Sequence, residues 1–106
     1  KIIVVLTRNR GYRKKAVSKA VEKMYRRAYR SYPNLLRTLL RRAPYYNRTL
    51  NELENLEREG KIFVIRPQGK TVSRLESKPE VLEDFYQHGI EQMKEHFGAM
   101  QDFLEK

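Results

Sequence analysis

Apolar positions along the chain fall into two short continuous runs and four longer periodic stretches. Ile2–Thr7 is a β-branched and leucine run, apolar on both faces, which is the pattern of a strand covered on two sides in a parallel sheet. Arg8-Asn9-Arg10-Gly11 ends it, with Gly11 able to take a positive φ. A second run, Lys61–Arg66, carries Ile62-Phe63-Val64-Ile65, and Pro67 ends it by withholding a ladder donor.

Outside the runs the apolar residues recur at helical spacing. Ala20, Val21, Met24, Tyr25, Ala28 and Tyr29 share one face of a helix predicted over Ser18–Tyr29. Pro33 suits the first position of a second helix, predicted to Arg42, with Leu35, Leu36, Leu39 and Leu40 as its stripe. Pro44 is read as opening a third, ending near Glu59, with Tyr46, Leu50, Leu53 and Leu56 buried and Gly60 as its C′ residue. After a loop over Gln68–Lys78, Ser77-Lys78-Pro79-Glu80 has the spacing of a capping box. It starts a last helix to about Leu104, with Leu82, Tyr86, Ile90, Met93, Phe97, Met100 and Leu104 as a packing seam.

The expected order is therefore β-α-α-α-β-α in the α/β class, with two parallel strands joined by a right-handed crossover. Two strands make a marginal sheet, and both are written for cover on two faces. Because the chain also enters a buried strand straight after Lys1, it reads as one piece of a longer polypeptide.

Charge changes this picture more than composition does. The net charge is +10 over 106 residues. Residues 1–48 hold 15 Lys/Arg against Glu22 alone, and residues 49–106 hold 8 against 12 acids, so the two parts carry +14 and −4. A basic half of this kind pairs internally, binds polyanions or lies on an anionic bilayer. There is no cysteine, which removes disulfides and thiolate metal sites. His88 and His96 are eight apart, not the spacing of a helical metal pair, and no metal or cofactor is expected. No stretch approaches the roughly 20 apolar residues of a membrane span. A cytoplasmic location is the expectation.

The densest chemistry follows the first strand. Arg8, Arg10, Arg13 and Lys14 stand at its carboxyl end, and Arg66 ends the second strand. In open parallel sheets ligands bind at that edge, and guanidinium clusters suit phosphate or carboxylate. The acids lie mainly on the third and fourth predicted helices, which should pack on the sheet faces, so the edge is expected to be under-neutralised and to take an anion or a lipid head group. The alternative is a basic edge that is solvated or paired within the chain. A second basic set, Lys19, Lys23, Arg26, Arg27, Arg30, Arg37, Arg41 and Arg42, is interleaved with Tyr25, Tyr29, Tyr32, Tyr45 and Tyr46. Such a mixture serves interfacial membrane helices and nucleic-acid surfaces alike, and core packing accounts for the tyrosine spacing equally well.

Several ordered pieces add a resemblance. They are Ile3-Val4-Val5-Leu6-Thr7-Arg8, then Gly11-Tyr12-Arg13-Lys14-Lys15, Tyr29-Arg30-Ser31-Tyr32-Pro33-Asn34-Leu35 and Tyr46-Asn47. The longest runs from Leu53 to Pro67, through Leu56-Glu57-Arg58-Glu59-Gly60-Lys61, and Val72-Ser73-Arg74-Leu75-Glu76 follows. Together they resemble the C-terminal region of bacterial patatin-like phospholipases, with Ala16 where that family often has Pro. The resemblance implies a fragment of a three-layer patatin-like sandwich. It also implies a parent lipid acyl hydrolase with a Ser-Asp dyad, the serine in G-x-S-x-G and the aspartate in D-G-G or D-G-A. Neither motif occurs here, so no catalytic residue carries over, and the dyad would lie upstream of residue 1.

The expected partners are then the upstream catalytic part of the same protein and an anionic membrane surface. Self-association of the isolated chain is also expected, through open sheet edges or the last helix. The competing readings are a basic nucleic-acid-binding module and a dimerisation module.

Overall fold

The computed structural model describes all residues, 1–106. Five elements follow in the order β1 (Ile2–Val5), α1 (Lys19–Ala28), α2 (Pro33–Arg58), β2 (Ile62–Ile65) and α3 (Pro79–Glu105). The chain is mixed helix and strand, and it divides into two compact units. One comprises Lys1–Tyr12 with Leu56–Lys106, the other Arg13–Asn55.

In the first unit β1 and β2 pair in parallel, Ile2 opposite Ile62 through Val5 opposite Ile65. The Leu6 amide extends the ladder to the Ile65 carbonyl at 2.9 Å. The two-sided apolarity of β2 is used, since Ile62, Val64 and Ile65 are all buried. That of β1 is not used within this chain, because Ile2 and Val5 remain 60% and 69% exposed. The helix over β2 is α3, whose Phe103 ring lies 5.9 Å from that of Phe63.

The face α3 turns inward differs from the expected seam. Gln92 and Met100 are buried, with Val81, Phe85, His88, His96 and Phe103 half-buried beside them. Leu82, Tyr86, Phe97 and Leu104 are exposed instead. The inner stripe lies about one residue's rotation, 100°, from the seam, and Met100 sits at the border of both. The helix start also differs from the predicted capping box. Lys78 is the N-cap and makes no side-chain cap. Glu76 does the nearby work, its Oε1 accepting from the Ser77 and Lys78 amides at 3.1 Å each. Pro79 does occupy the first turn.

In the second unit, Ser18 caps α1, its Oγ accepting from the Val21 amide at 3.2 Å. The expected break before Pro44 is absent: two helices, not three, connect the strands, and α2 runs unbroken through Pro44. The reason is phase. Leu36, Leu40, Ala43, Asn47, Leu50 and Glu54 all lie on the less exposed side, at alternating spacings of four and three on both sides of the proline. Burial of Ala43 and Leu50 along that continuous stripe offsets the roughly 3 kcal/mol that an interior proline costs. At its far end α2 closes in a Schellman motif. The Gly60 amide reaches the Glu57 carbonyl and the Lys61 amide the Leu56 carbonyl, both at 2.9 Å. Gly60 takes φ +70°, which the motif requires.

Candidate functional site: the arginine edge

The carboxyl end of β2 delivers Arg66 directly onto the last turn of α2. Its Nη1 and Nη2 donate to the two carboxylate oxygens of Glu57 at 2.9 and 2.7 Å. This fork-to-fork pair is well shielded, the Arg66 side chain being only 8% exposed. Arg10, from the loop after β1, donates to the same carboxylate at 3.1 Å and is largely exposed. Parallel pairing explains the meeting, because it puts the ends of both strands on one edge. The Arg66 hydrogen bonds hold the Glu57 carboxyl below the ordinary glutamate range. Burial opposes that shift, and the charges of Arg66 and Arg10 reinforce it.

The edge is therefore paired in part within the chain, since Glu57 sits between two of the arginines. Neutralisation is incomplete, with two guanidinium groups sharing one carboxylate. Arg8 donates to a hydroxyl, Thr71 Oγ1 at 3.4 Å, and lies 5.2 Å from the Tyr12 ring centre. Asn9 ties this loop to the next by donating from Nδ2 to the Gly69 carbonyl. Its Oδ1 is buried without a partner. Asn9, Arg10, Glu57 and Arg66 form the polar end of a cleft of about 740 Å³ that continues along β2 to Ala99 and Phe103.

Arg13 and Lys14 belong to the second unit and are held there by α2. Arg13 donates to Asn51 Oδ1 at 3.1 and 2.7 Å and to Glu54 Oε2 at 3.0 Å. The Lys14 amide donates to Asn47 Oδ1 at 2.7 Å, and Asn47 Nδ2 returns a bond to the Lys14 carbonyl at 2.8 Å. The Asn47 amide thereby pairs with Lys14 as a strand neighbour would. Lys14 Nζ stands 5.4 Å from the Tyr46 ring centre. Asn47, Asn51, Glu54 and Glu57 are the partners that reading the arginines alone overlooks. Their spacing of four, three and three, one polar stripe along α2, is the signal in the sequence.

The remaining titratable candidates have local roles. His88 Nε2 accepts from the Gln68 amide at 2.9 Å. His96 Nδ1 contacts the Gln92 carbonyl at 2.8 Å. No group of three His, Asp or Glu side chains converges as a metal site would. No helix is long and apolar enough to cross a membrane.

These features define a small mixed α/β chain with a basic edge at the ends of two parallel strands. Its family is the one described as Domain of unknown function (DUF6363), to which the chain belongs by a match over residues 32–105. That span takes in α2, β2 and α3, and with them Glu57 and Arg66. No curated protein and no solved structure matches the chain.

Proposed function

We propose that the chain is a non-catalytic C-terminal segment of a patatin-like lipid acyl hydrolase acting in the cytoplasm. In this reading the ester-cleaving dyad lies outside the chain, and the arginine edge faces anionic lipid head groups. The ordered sequence resemblance supports the first part, together with the parallel strand pair. The observation that carries the second part is the shared carboxylate. Arg10 and Arg66 have only Glu57 between them, and Arg8 has only a hydroxyl, so the edge keeps a positive excess.

The test is the reading frame upstream of Lys1 and its expressed product. A G-x-S-x-G and a D-G-G or D-G-A are expected in frame. The full product should hydrolyse p-nitrophenyl esters, lose that activity when the motif serine is changed, and show none as the 106-residue chain. A frame without either motif overturns the reading. So does turnover by this chain that a point change within it abolishes.

A further inference from the structure

The first helix departs from the usual logic of an amphipathic element. None of its residues is buried. Val21, Tyr25 and Tyr29 form the half-buried side, with the two tyrosine rings 6.0 Å apart and tilted by 56°. Ala20, Met24 and Ala28 form a second apolar line beside it that remains exposed, Met24 at 57%. Lys23 and Arg27 flank that line and complete a shallow groove with it. Lys19 and Arg30 extend the exposed cations on the same flank. Ordered around the axis, the helix is half-buried, then apolar and open, then cationic.

The charge around this face lacks compensation. The second unit, Arg13–Asn55, holds twelve Lys/Arg and three acids, a net +9. Two of those acids are engaged, Glu22 with Arg26 at 2.8 Å and Glu54 with Arg13 at 3.0 Å. Neither pair includes Lys19, Lys23, Arg27 or Arg30. An exposed apolar line with a cationic flank is the composition of a helix that lies in the plane of an anionic bilayer. The apolar side chains enter the head-group region and the cations meet lipid phosphates.

We propose that α1 is a docking surface for an anionic bilayer, with Met24 at the centre of the inserted line and Lys23 and Arg27 as the phosphate contacts. This deepens the membrane part of the function proposed above and rests on it, but it places contact on a different element from the arginine edge. Single-stranded nucleic acid is the competing occupant of such charge. The exposed line argues against it: nucleic-acid surfaces of this kind stack bases on aromatic rings. The exposed line here is alanine and methionine, while Tyr25 and Tyr29 pack on each other.

The test uses the 106-residue chain with vesicles of phosphatidylcholine, with and without phosphatidylglycerol. Binding is expected only with the anionic lipid and should fall with salt. Each cation at such a surface is worth about fivefold in partition, so Lys23→Gln with Arg27→Gln should weaken binding about thirtyfold. Lys94→Gln on α3 should leave it unchanged. The chain has no tryptophan, so Met24→Trp supplies a single reporter, whose emission should shift to the blue on anionic vesicles alone. Circular dichroism checks that each variant is folded. Unchanged partition of the double variant, or an unshifted reporter on vesicles that bind the chain, overturns the proposal. Loss of affinity for single-stranded RNA with vesicle binding intact overturns it in favour of nucleic acid. Each of these results can arise whether or not the upstream frame encodes a hydrolase, so the two readings fail separately.

Discussion

Removing the Glu57 carboxylate should cost the first unit more stability than any other single charge change. Two features set the magnitude. Arg66 is 8% exposed and makes both of its carboxylate bonds to Glu57, so truncation strands a shielded guanidinium. Breaking one partner of a fully buried pair typically costs 3–5 kcal/mol. Glu57 itself is 23% exposed, so water reaches part of the gap. The expected cost of Glu57→Ala is then about 2–3 kcal/mol. Glu57→Gln keeps one acceptor and should cost about 1–2 kcal/mol. Arg10 adds little, because its side chain is 66% exposed.

Urea unfolding followed by far-UV circular dichroism measures these costs. A double-mutant cycle with Arg66→Met isolates the pair and should return a coupling of about 1.5–3 kcal/mol. Acid supplies a second check. Arg66 holds the folded carboxyl of Glu57 below its ordinary value, so the stabilisation is fully present above the unfolded pKa and is lost as pH falls through the folded one. The gap between the native chain and Glu57→Gln should thus be widest near neutrality and narrow in acid. A cost for Glu57→Ala within about 0.5 kcal/mol, or a coupling near zero, would refute the argument, because surface substitutions alone produce changes of that size.

Gly60→Ala should destabilise by about 1 kcal/mol, purely from its positive φ, since a Cβ there meets nothing within 4 Å. Gly60→Asn should cost less, and equal costs in urea melts would contradict the conformational explanation. Pro44→Ala restores an amide donor in the interior of α2 at an exposed position. It should stabilise by about 1–2 kcal/mol after allowing for the freer unfolded chain, and a loss of stability would show that the ring is needed. The isolated chain should self-associate through the outer line of α3, where Phe97 is 47% exposed, and Phe97→Asp should reduce it. Sedimentation velocity of a monomer at every concentration would rule this out.

The short strands and their direction were legible because they depend on local composition and connection length. Ile62-Phe63-Val64-Ile65 leaves no polar face to expose, and a long helical link favours parallel return. The start of α1 was legible for the same reason, Ser18 being a side chain that caps locally. One error came from weighting a local signal over a periodic one. Pro44 looks like a first-turn residue when taken with its neighbours, yet the spacing of Leu40, Ala43, Asn47 and Leu50 keeps phase across it. Along α3, the unbroken apolar spacing of Leu82, Tyr86, Ile90, Met93 and Phe97 outweighed the line of Phe85, Gln92, His96 and Phe103 one position away. Phe103 of the second line packs against Phe63 of β2, and apolar spacing alone does not say which of two neighbouring lines a sheet will cover.

The site shows where one-dimensional reading stops. Arg8, Arg10 and Arg66 could be assigned to one edge from strand direction alone, since parallel strands end together. Which acid meets them could not, because a helix ending near Glu59 with Gly60 behind it puts Glu57 in its last turn without saying which strand end that turn will meet. A helix divided at Pro44 leaves the phase of its second half undetermined relative to the first. Asn47, Asn51, Glu54 and Glu57 all follow Pro44, so their stripe keeps its phase whether or not the helix breaks there. The helix break and the charge pairing are therefore separate matters: the proline decides how many helices there are, and the meeting of the last turn of α2 with the strand ends decides the partner of Arg10 and Arg66. Packing gives Pro44 its meaning in the fold. It is tolerated where the buried stripe of Ala43 and Leu50 holds the helix through it.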